Sequence, residues 1–477
     1  MGKSFPSYHS TREDEKRSIL VKDYRTHRQK QTDMMRTKSY LLILMFLFSV
    51  QSFSQSADER IAALIGQADW FGLEKDYPSL KDSVKTVFLK EISETMIAYY
   101  FNRRDDALEH IHELLANHKT EIGVETALRM EILSCQIEKL KGNYGLTVQK
   151  AQNIISQLKE QHPHKGTYES LRSAVSFFGK LSNTPAPSIS RPNCEISVPI
   201  EIEKITLPAN IEPKGWRGTL IFIPVTINGK TYRFIFDTGA GTTYMSARFA
   251  KEVGVRILND SLQISATNSA KKNAILGQVG TLDSMQIGNI TFRYPMIAIA
   301  PPNTLDNFTK IDAVLGMDFI NLLDEIRIYP KEGKMVFPVS ATPLPDSGRN
   351  LMIDERMLII KAKINDETVK LFFDTGHTTA GLYSQYYKEH KSQLKSLGKR
   401  QKMISGGVNT YIKKNILRLP AFTIEIGEVP IELRDLTVDI GKNVLQTTNN
   451  MGVMGMSMVN QFNCVTINLR DMFLKLE

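Results

Sequence analysis

Two tripeptides carry the chemistry this sequence offers. Asp237-Thr238-Gly239 follows the apolar run Phe234-Ile235-Phe236, and Asp374-Thr375-Gly376 follows Leu371-Phe372-Phe373. Two carboxylates brought close together can hydrolyse an amide without a metal or a nucleophilic side chain. Like charges at short range cannot both ionise, so the pair shares one proton. The ionised member takes a proton from water, and the protonated member donates to the scissile carbonyl. Such a pair titrates as a unit, so neither Asp237 nor Asp374 has a fixed acid or base role. Gly239 and Gly376 let the backbone turn tightly beneath the carboxylates.

The surroundings of the two tripeptides repeat. The first copy runs from Ile227-Asn228-Gly229 to Asp237, the second from Ile364-Asn365-Asp366 to Asp374, with the Asn nine residues before the Asp in both. Asn-Gly and Asn-Asp tolerate the positive φ of a tight hairpin, so each aspartate ends the second strand of a predicted hairpin. Gly316 follows Asp237 by 79 residues in Ala313-Val314-Leu315-Gly316, and Gly455 follows Asp374 by 81 in Gly452-Val453-Met454-Gly455. A single Asp-Thr-Gly arises by chance in roughly a tenth of chains this long. Two copies with matched strands and matched apolar-apolar-Gly segments do not.

This order of strand, Asp-Thr-Gly and distant apolar-apolar-Gly resembles the aspartic proteases. It is most similar to bacterial retropepsin-like enzymes, here fused in tandem as in pepsin-like ones, over about 60% of the chain. The resemblance implies that Asp237 and Asp374 are catalytic and that Thr238 and Thr375 hydrogen-bond across the lobe interface. Gly316 and Gly455 are then structural, packing beside the Asp loops. A flap is expected in each copy. Ser405, Gly406 and Gly407 suit it in the second, whereas Ile264–Ser269 of the first has no glycine. Many members carry Ser or Thr after the glycine; here Ala240 and His377 stand there, which predicts an optimum nearer neutral than that of pepsin-like enzymes. The rival readings are an inactive peptide-binding module with a helical adaptor, favoured by His377 and the glycine-free first flap, and a homodimer in which the second copy is a scaffold.

The elements that must position these residues read as a multidomain chain. An N-terminal all-α, helical-repeat-like domain precedes a mainly β bilobal acid-protease fold. Over 58–180, apolar residues recur at helical spacing, as in Ile61, Leu64, Ile65, Ala68 and Ala107, Ile111, Leu114, Leu115. The pairs 85–100 with 104–118 and 125–140 with 145–160 give a period of roughly 35 residues, which resembles tetratricopeptide-like repeats. The repeat consensus is absent, and an irregular bundle fits as well. Pro78 and Pro163 are read as the interruptions. Residues 181–193 form a Pro/Ser linker. Lobe 1 follows over 194–340 and lobe 2 over 341–477, in short runs rich in Ile, Val, Phe and Thr.

Residues 1–33 read as a disordered leader or a mis-called start. Residues 34–54 read as a signal peptide: Arg36 and Lys38, an apolar run of 11 residues from Tyr40 to Val50, then Ser52 and Ser54. The run is short for a bilayer span. The expectation is a periplasmic or secreted protein, with membrane contact only if the segment stays uncleaved.

The net charge of +9 is modest for 477 residues, and residues 1–38 hold ten Lys/Arg against five Asp/Glu. No basic run is interleaved with aromatics, so no nucleic-acid partner is expected. The partners implied are a peptide or protein substrate and a protein bound through the helical domain, which could instead cover the cleft as a pro-region. No cofactor or metal is called for. His112-Glu113-Leu114-Leu115-Ala116 begins like a zinc helix, but Ala116 holds the second histidine's place. Cys135, Cys194 and Cys464 lack metal-ligand spacing; Cys194 with Cys464 is the disulfide pair to test, and three free buried thiols are the alternative. Asp318 parallels Ser457, which argues against a third catalytic carboxylate.

Overall fold

The computed structural model describes residues 56–161, 165–206, 215–264, 275–301, 311–407, 410–441 and 450–477. The leader, the signal segment, Pro163 and residues 265–269 of the first flap lie outside the described residues.

The helical region is α1 (Ala57–Gly66), α2 (Trp70–Leu80), α3 (Val87–Tyr100), α4 (Arg104–Asn117), α5 (Lys119–Lys141), α6 (Tyr144–Gln161) and α7 (Lys165–Gly179). Helix α1 starts at a capping box of Ser56 and Glu59. The apolar stripes face inward as their spacing predicts: Ile61, Ile65, Ala68, Ala107, Ile111 and Leu114 are buried. Pro78 does not interrupt as expected; it sits in the last turn of α2, two residues before the helix ends. Its ring removes the N–H that would bond the Glu74 carbonyl, and the helix runs only two residues further. The kink falls instead at Gly123 in α5, where φ is 74°.

Two large sheets follow. The first contains β1 (Ser188–Ser190), β3 (Glu201–Thr206), β4 (Trp216–Ile227), β5 (Lys230–Phe236), β6 (Tyr244–Ser246), β7 (Arg256–Ile264), β8 (Ile275–Thr281), β9 (Ser284–Ile287), β10 (Ile290–Arg293), β11 (Met296–Ala300) and β12 (Ala313–Leu315). The second contains β15 (Leu351–Asp354), β16 (Met357–Ile364), β17 (Glu367–Phe373), β18 (Ala380–Leu382), β19 (Lys399–Gly407), β20 (Thr410–Ile426), β21 (Val429–Asp439) and β22 (Gly452–Met454). Both follow one plan. The order β5-β12-β6-β11-β8-β7 in the first is matched by β17-β22-β18-β21-β20-β19 in the second. The hairpin turns are where the sequence puts them. Asn228 and Gly229 have φ of 52° and 76°, and Asn365 and Asp366 have 49° and 66°.

A third sheet belongs to both copies. Its order is β2 (Ile196–Pro199), β14 (Lys334–Phe337), β13 (Glu325–Tyr329), β23 (Val465–Asn468), β24 (Phe473–Leu476). Its central pair, β13 with β23, is antiparallel and joins the end of the first copy to the end of the second. Glu325, 1% exposed, ties this seam. Its carboxylate accepts from Thr342 N (2.7 Å), Thr342 Oγ1 (2.8 Å), Arg327 Nε (2.8 Å) and Asn468 Nδ2 (2.8 Å). A buried carboxylate is tolerated only when saturated in this way.

The segment 181–193 is more closely held than a linker. Leu181 is buried against Tyr144, Val279 and Met296, and β1 pairs with β10. Proline and serine there mark the end of helix, not the end of contact. The helical region also bonds to the second copy: Lys370 Nζ donates to Ala68 O (2.9 Å), Asn102 Nδ2 to Leu469 O (2.9 Å), and Arg349 pairs with Glu74. One apolar core runs from Ile61 and Leu73 through Phe236 to Phe373. The three cysteines are free thiols, and Cys194 is exposed rather than buried.

Removing the saturated carboxylate tests the seam. Glu325→Ala strands a buried donor on Asn468 and partly buried ones on Thr342 and Arg327, and is expected to cost about 3 kcal/mol. Urea unfolding measures it; an unchanged midpoint contradicts the role given to Glu325.

Candidate active site

Each aspartate sits just past a central strand. Asp237 follows β5 and its N–H donates to Leu315 O on β12 (3.0 Å); Asp374 follows β17 and its N–H donates to Met454 O on β22 (2.9 Å). Strands β5 and β12 are parallel, as are β17 and β22, so both aspartates emerge at the same end of equivalent strand pairs. The strands that end at Gly316 and Gly455 thus bond directly to the Asp loops. A methyl on Gly316 would lie 2.7 Å from Ala240 O, and one on Gly455 only 2.0 Å from His377 O. Beyond these glycines begin the short helices α8 (Met317–Ile320) and α9 (Met456–Val459).

Thr238 and Thr375 lock the loops together. Thr238 N donates to Thr375 Oγ1 (3.0 Å) and Thr375 N to Thr238 Oγ1 (3.0 Å). Each hydroxyl then donates onward across the junction, Thr238 Oγ1 to Phe373 O (3.0 Å) and Thr375 Oγ1 to Phe236 O (2.7 Å). Both threonines are fully buried. Four hydrogen bonds thus relate the copies by a local two-fold.

The glycines complete the approach. A methyl on Gly239 would fall 2.2 Å from Asp374 Oδ1, and one on Gly376 2.3 Å from the Asp237 carboxyl carbon. Each carboxyl therefore rests against the glycine of the opposite tripeptide, a separation no larger residue permits. Asp237 Oδ1 accepts from Gly239 N (2.8 Å) and Ala240 N (3.0 Å). The Gly376 and His377 N–H groups favour the ionised form of Asp374, without the short contacts made to Asp237.

The two carboxyls interact directly. Both are half-buried, so solvent still reaches them. Burial first, and then the charge of Asp374, push the Asp237 carboxyl well above the usual carboxylate range. Burial also pushes Asp374 upward, opposed by its bond to Asp237 and the two backbone donors. The pair is arranged to hold a proton where an isolated aspartate has lost it.

Several site residues gave no sequence signal. Thr243 donates through N (2.9 Å) and Oγ1 (2.8 Å) to Asp318 Oδ1 and accepts from Gly316 N (3.0 Å). Asp318 is thus a brace for the first Asp loop, and the second copy has no counterpart: Ser457 stands at that place. Arg356, from the β15–β16 turn, donates to Gly241 O (3.0 Å) and Thr242 Oγ1 (2.9 Å), crossing from the second copy to the first. Tyr383 is held in the protonated form by burial and by the Asp374 charge. Only its place a few residues past the second Asp-Thr-Gly hinted at this. His377 Nδ1 bonds to Thr379 O within its own loop (2.9 Å).

The residues expected to form the second flap end β19: Ser405, Gly406 and Gly407 pair with Ile412, Tyr411 and Thr410 of β20. One group of metal-capable side chains exists among the described residues. Glu367, Glu389 and His390 bring ligand atoms within 4.8 Å of one another, and Glu367 with His390 forms a surface ion pair at 3.0 Å.

Residues 223–322 match the family of gag-polyprotein putative aspartyl proteases, a span containing both Asp237 and Gly316. No curated protein matches the sequence. Among solved structures, the chain is similar to basic 7S globulin from soybean, with 11% identity and a TM-score of 0.33, over 60% of this chain and 95% of that one. It is also similar to a retropepsin-like aspartic protease from Rickettsia conorii, with 16% identity and a TM-score of 0.19, over 32% of this chain and 92% of that one. The family match falls on the first copy of the β region, from β4 to the residues that follow Gly316.

The threonine grip has a measurable energy. Thr238→Val and Thr375→Val each strand a buried N–H and a buried carbonyl, at about 2–3 kcal/mol apiece. The double variant is expected to cost less than their sum, because either change alone loosens the junction. Strict additivity in urea unfolding would mean the two threonines do not share one junction.

Proposed function

We propose that the chain is an aspartic endopeptidase that hydrolyses peptide bonds with water activated between Asp237 and Asp374. The observation that carries this reading is the reciprocal Thr238–Thr375 grip. It brings each carboxyl against the opposite glycine and so makes a dyad within one chain. Asp374 Oδ1 is buried and has no hydrogen-bond donor among the described protein groups. A proton shared with Asp237 satisfies it, as the one-proton state requires.

In the mechanism, the ionised carboxyl removes a proton from water, and the resulting oxygen adds to the scissile carbonyl carbon. The protonated carboxyl gives its proton to the carbonyl oxygen. Collapse of the tetrahedral species then expels the amine, which takes the proton the first carboxyl had removed from water, while the hydroxyl proton returns to the second carboxyl as the C=O bond reforms. The backbone donors at Gly239, Ala240, Gly376 and His377 stabilise the negative charge of the pair without neutralising it. The hairpin tip at Ser405, Gly406 and Gly407 is assigned to closing over substrate. The basic and apolar segment 34–54 argues for export to the periplasm or beyond. The helical region is assigned to binding substrate or a protein partner.

The test is cleavage of a diverse peptide mixture over pH 3–8 by the mature protein, Asp237→Asn and Asp374→Asn. Activity is expected to disappear in both variants. Loss in only one favours pairing of equivalent lobes from two chains, and inactivity of the wild type favours a peptide-binding module.

The upward shifts fix two signs. Raising both carboxyls moves the one-proton window up in pH, so kcat/KM is expected to peak above about pH 4; a maximum below about pH 3 contradicts the assignment. For stability, the folded pair binds more protons than the unfolded chain above the normal Asp range near 3.8. Stability therefore falls as pH rises through that window. Asp237→Asn removes the penalty and is expected to stabilise the protein at pH 7 by on the order of 1 kcal/mol, with no gain near pH 3. Unfolding midpoints at the two pH values check it.

A further inference from the structure

Where the helical region meets both copies there is a second concavity, of about 240 Å³. Arg104 and Lys141 reach it from the helices, Arg293 from β10 and Arg356 from the β15–β16 turn; Asp318 is the carboxylate on its wall. Lys141 is already paired with Asp105. Asp318 offsets the charge of Arg356 and accepts from Thr243 and Phe319. Arg104 and Arg293 remain. Among the described residues neither forms an ion pair with a carboxylate.

Arg104 is the informative one. Its partners are neutral: Leu140 O at 3.4 Å and, with the Asn321 amide oxygen turned toward it, that oxygen at 2.8 Å. Burial, and then the facing charge of Arg356, hold its guanidinium below the ordinary value, to about 10. Two guanidinium groups therefore line one small concavity closely enough to act on each other's charge. A half-buried arginine that has only the longer-range attraction of Asp105, and no carboxylate in ion-pair contact, is costly, and the planar fork of guanidinium matches an oxyanion in two-pronged fashion. The space is smaller than the roughly 300–1,000 Å³ of sites for drug-sized ligands, which fits a single phosphate or the carboxylate end of a short peptide.

We infer that this junction is a binding site for an oxyanion, held between Arg104 and Arg356 with Arg293 and Lys141 at its rim. The anion would join α4, the β15–β16 turn and, through Arg356, the loop that follows Asp237. Nothing in this depends on the proteolytic reading, since the site is read by binding.

The experiment is calorimetric titration of the mature protein, and of its Asp237→Asn variant, with three probes: inorganic phosphate, acetyl-dialanine as the free acid, and acetyl-dialanine amide. Phosphate or the free acid is expected to bind both proteins with Kd of about 1 mM or tighter, and to raise the thermal midpoint. The amide is expected not to bind. Arg104→Gln should weaken binding by about tenfold or more, with Arg104→Lys in between. Which probe binds separates a free ion from a peptide terminus. If Arg104→Gln does not fold, Arg293→Gln, at an exposed position, is expected to weaken binding by a smaller factor. Failure of both acids to bind, equal binding of the amide, or unchanged affinity in the folded variants would overturn the assignment.

Discussion

Everything at the centre of this molecule depends on two threonine hydroxyls that each accept one hydrogen bond and donate another across a buried junction. Without that exchange, two negative carboxyls have every reason to separate. The grip resists that repulsion with four hydrogen bonds in a dry environment, where each is stronger than at the surface. The glycines then allow the separation to shrink until each carboxyl touches the opposite loop. Burial raises the proton affinity of the pair, and the backbone donors keep one negative charge tolerable. Proximity, charge and proton sharing are consequences of one packing arrangement.

The two copies are alike in strand order but not in bracing. The first Asp loop is held from three sides: by Thr238, by Asp318 through Thr243, and by Arg356 arriving from the second copy. The second loop has the threonine and the Gly455 contact, with Ser457 in place of the acidic brace. An arginine from one copy fastening the loop of the other means that neither loop is independent. The helical region belongs to the same arrangement, because Arg104 and Arg356 line one concavity between the helices and the β copies.

Local chemistry was well recorded in the sequence. The hairpins at Asn228 and Asn365 were legible because positive φ restricts the residues a tight turn accepts. The helix stripes were legible because burial follows a fixed period, and the paired tripeptides because duplication leaves a spacing that can be measured. Pro78 misled, since a proline near a helix end looks like one that breaks it. The shared sheet, the Thr243–Asp318 brace and the reach of Arg356 left no trace. Each depends on which distant segments meet, and an isolated Asp, Thr or Arg has many uses. The linker reading of 181–193 failed to see β1 for a related reason. A short edge strand takes its stability from its partner and needs no strand-like composition of its own.

The five-stranded sheet interleaves the two ends of the β region. Strand β2, near residue 196, shares it with β24, near residue 476. A nascent chain on the ribosome that has completed only the first copy has one aspartate, no opposing threonine and an open seam at β13. The Thr238–Thr375 junction can form only after the second copy has been translated and docked. Long-range contacts of this kind close slowly. The order of synthesis thereby sets when the two carboxyls first meet.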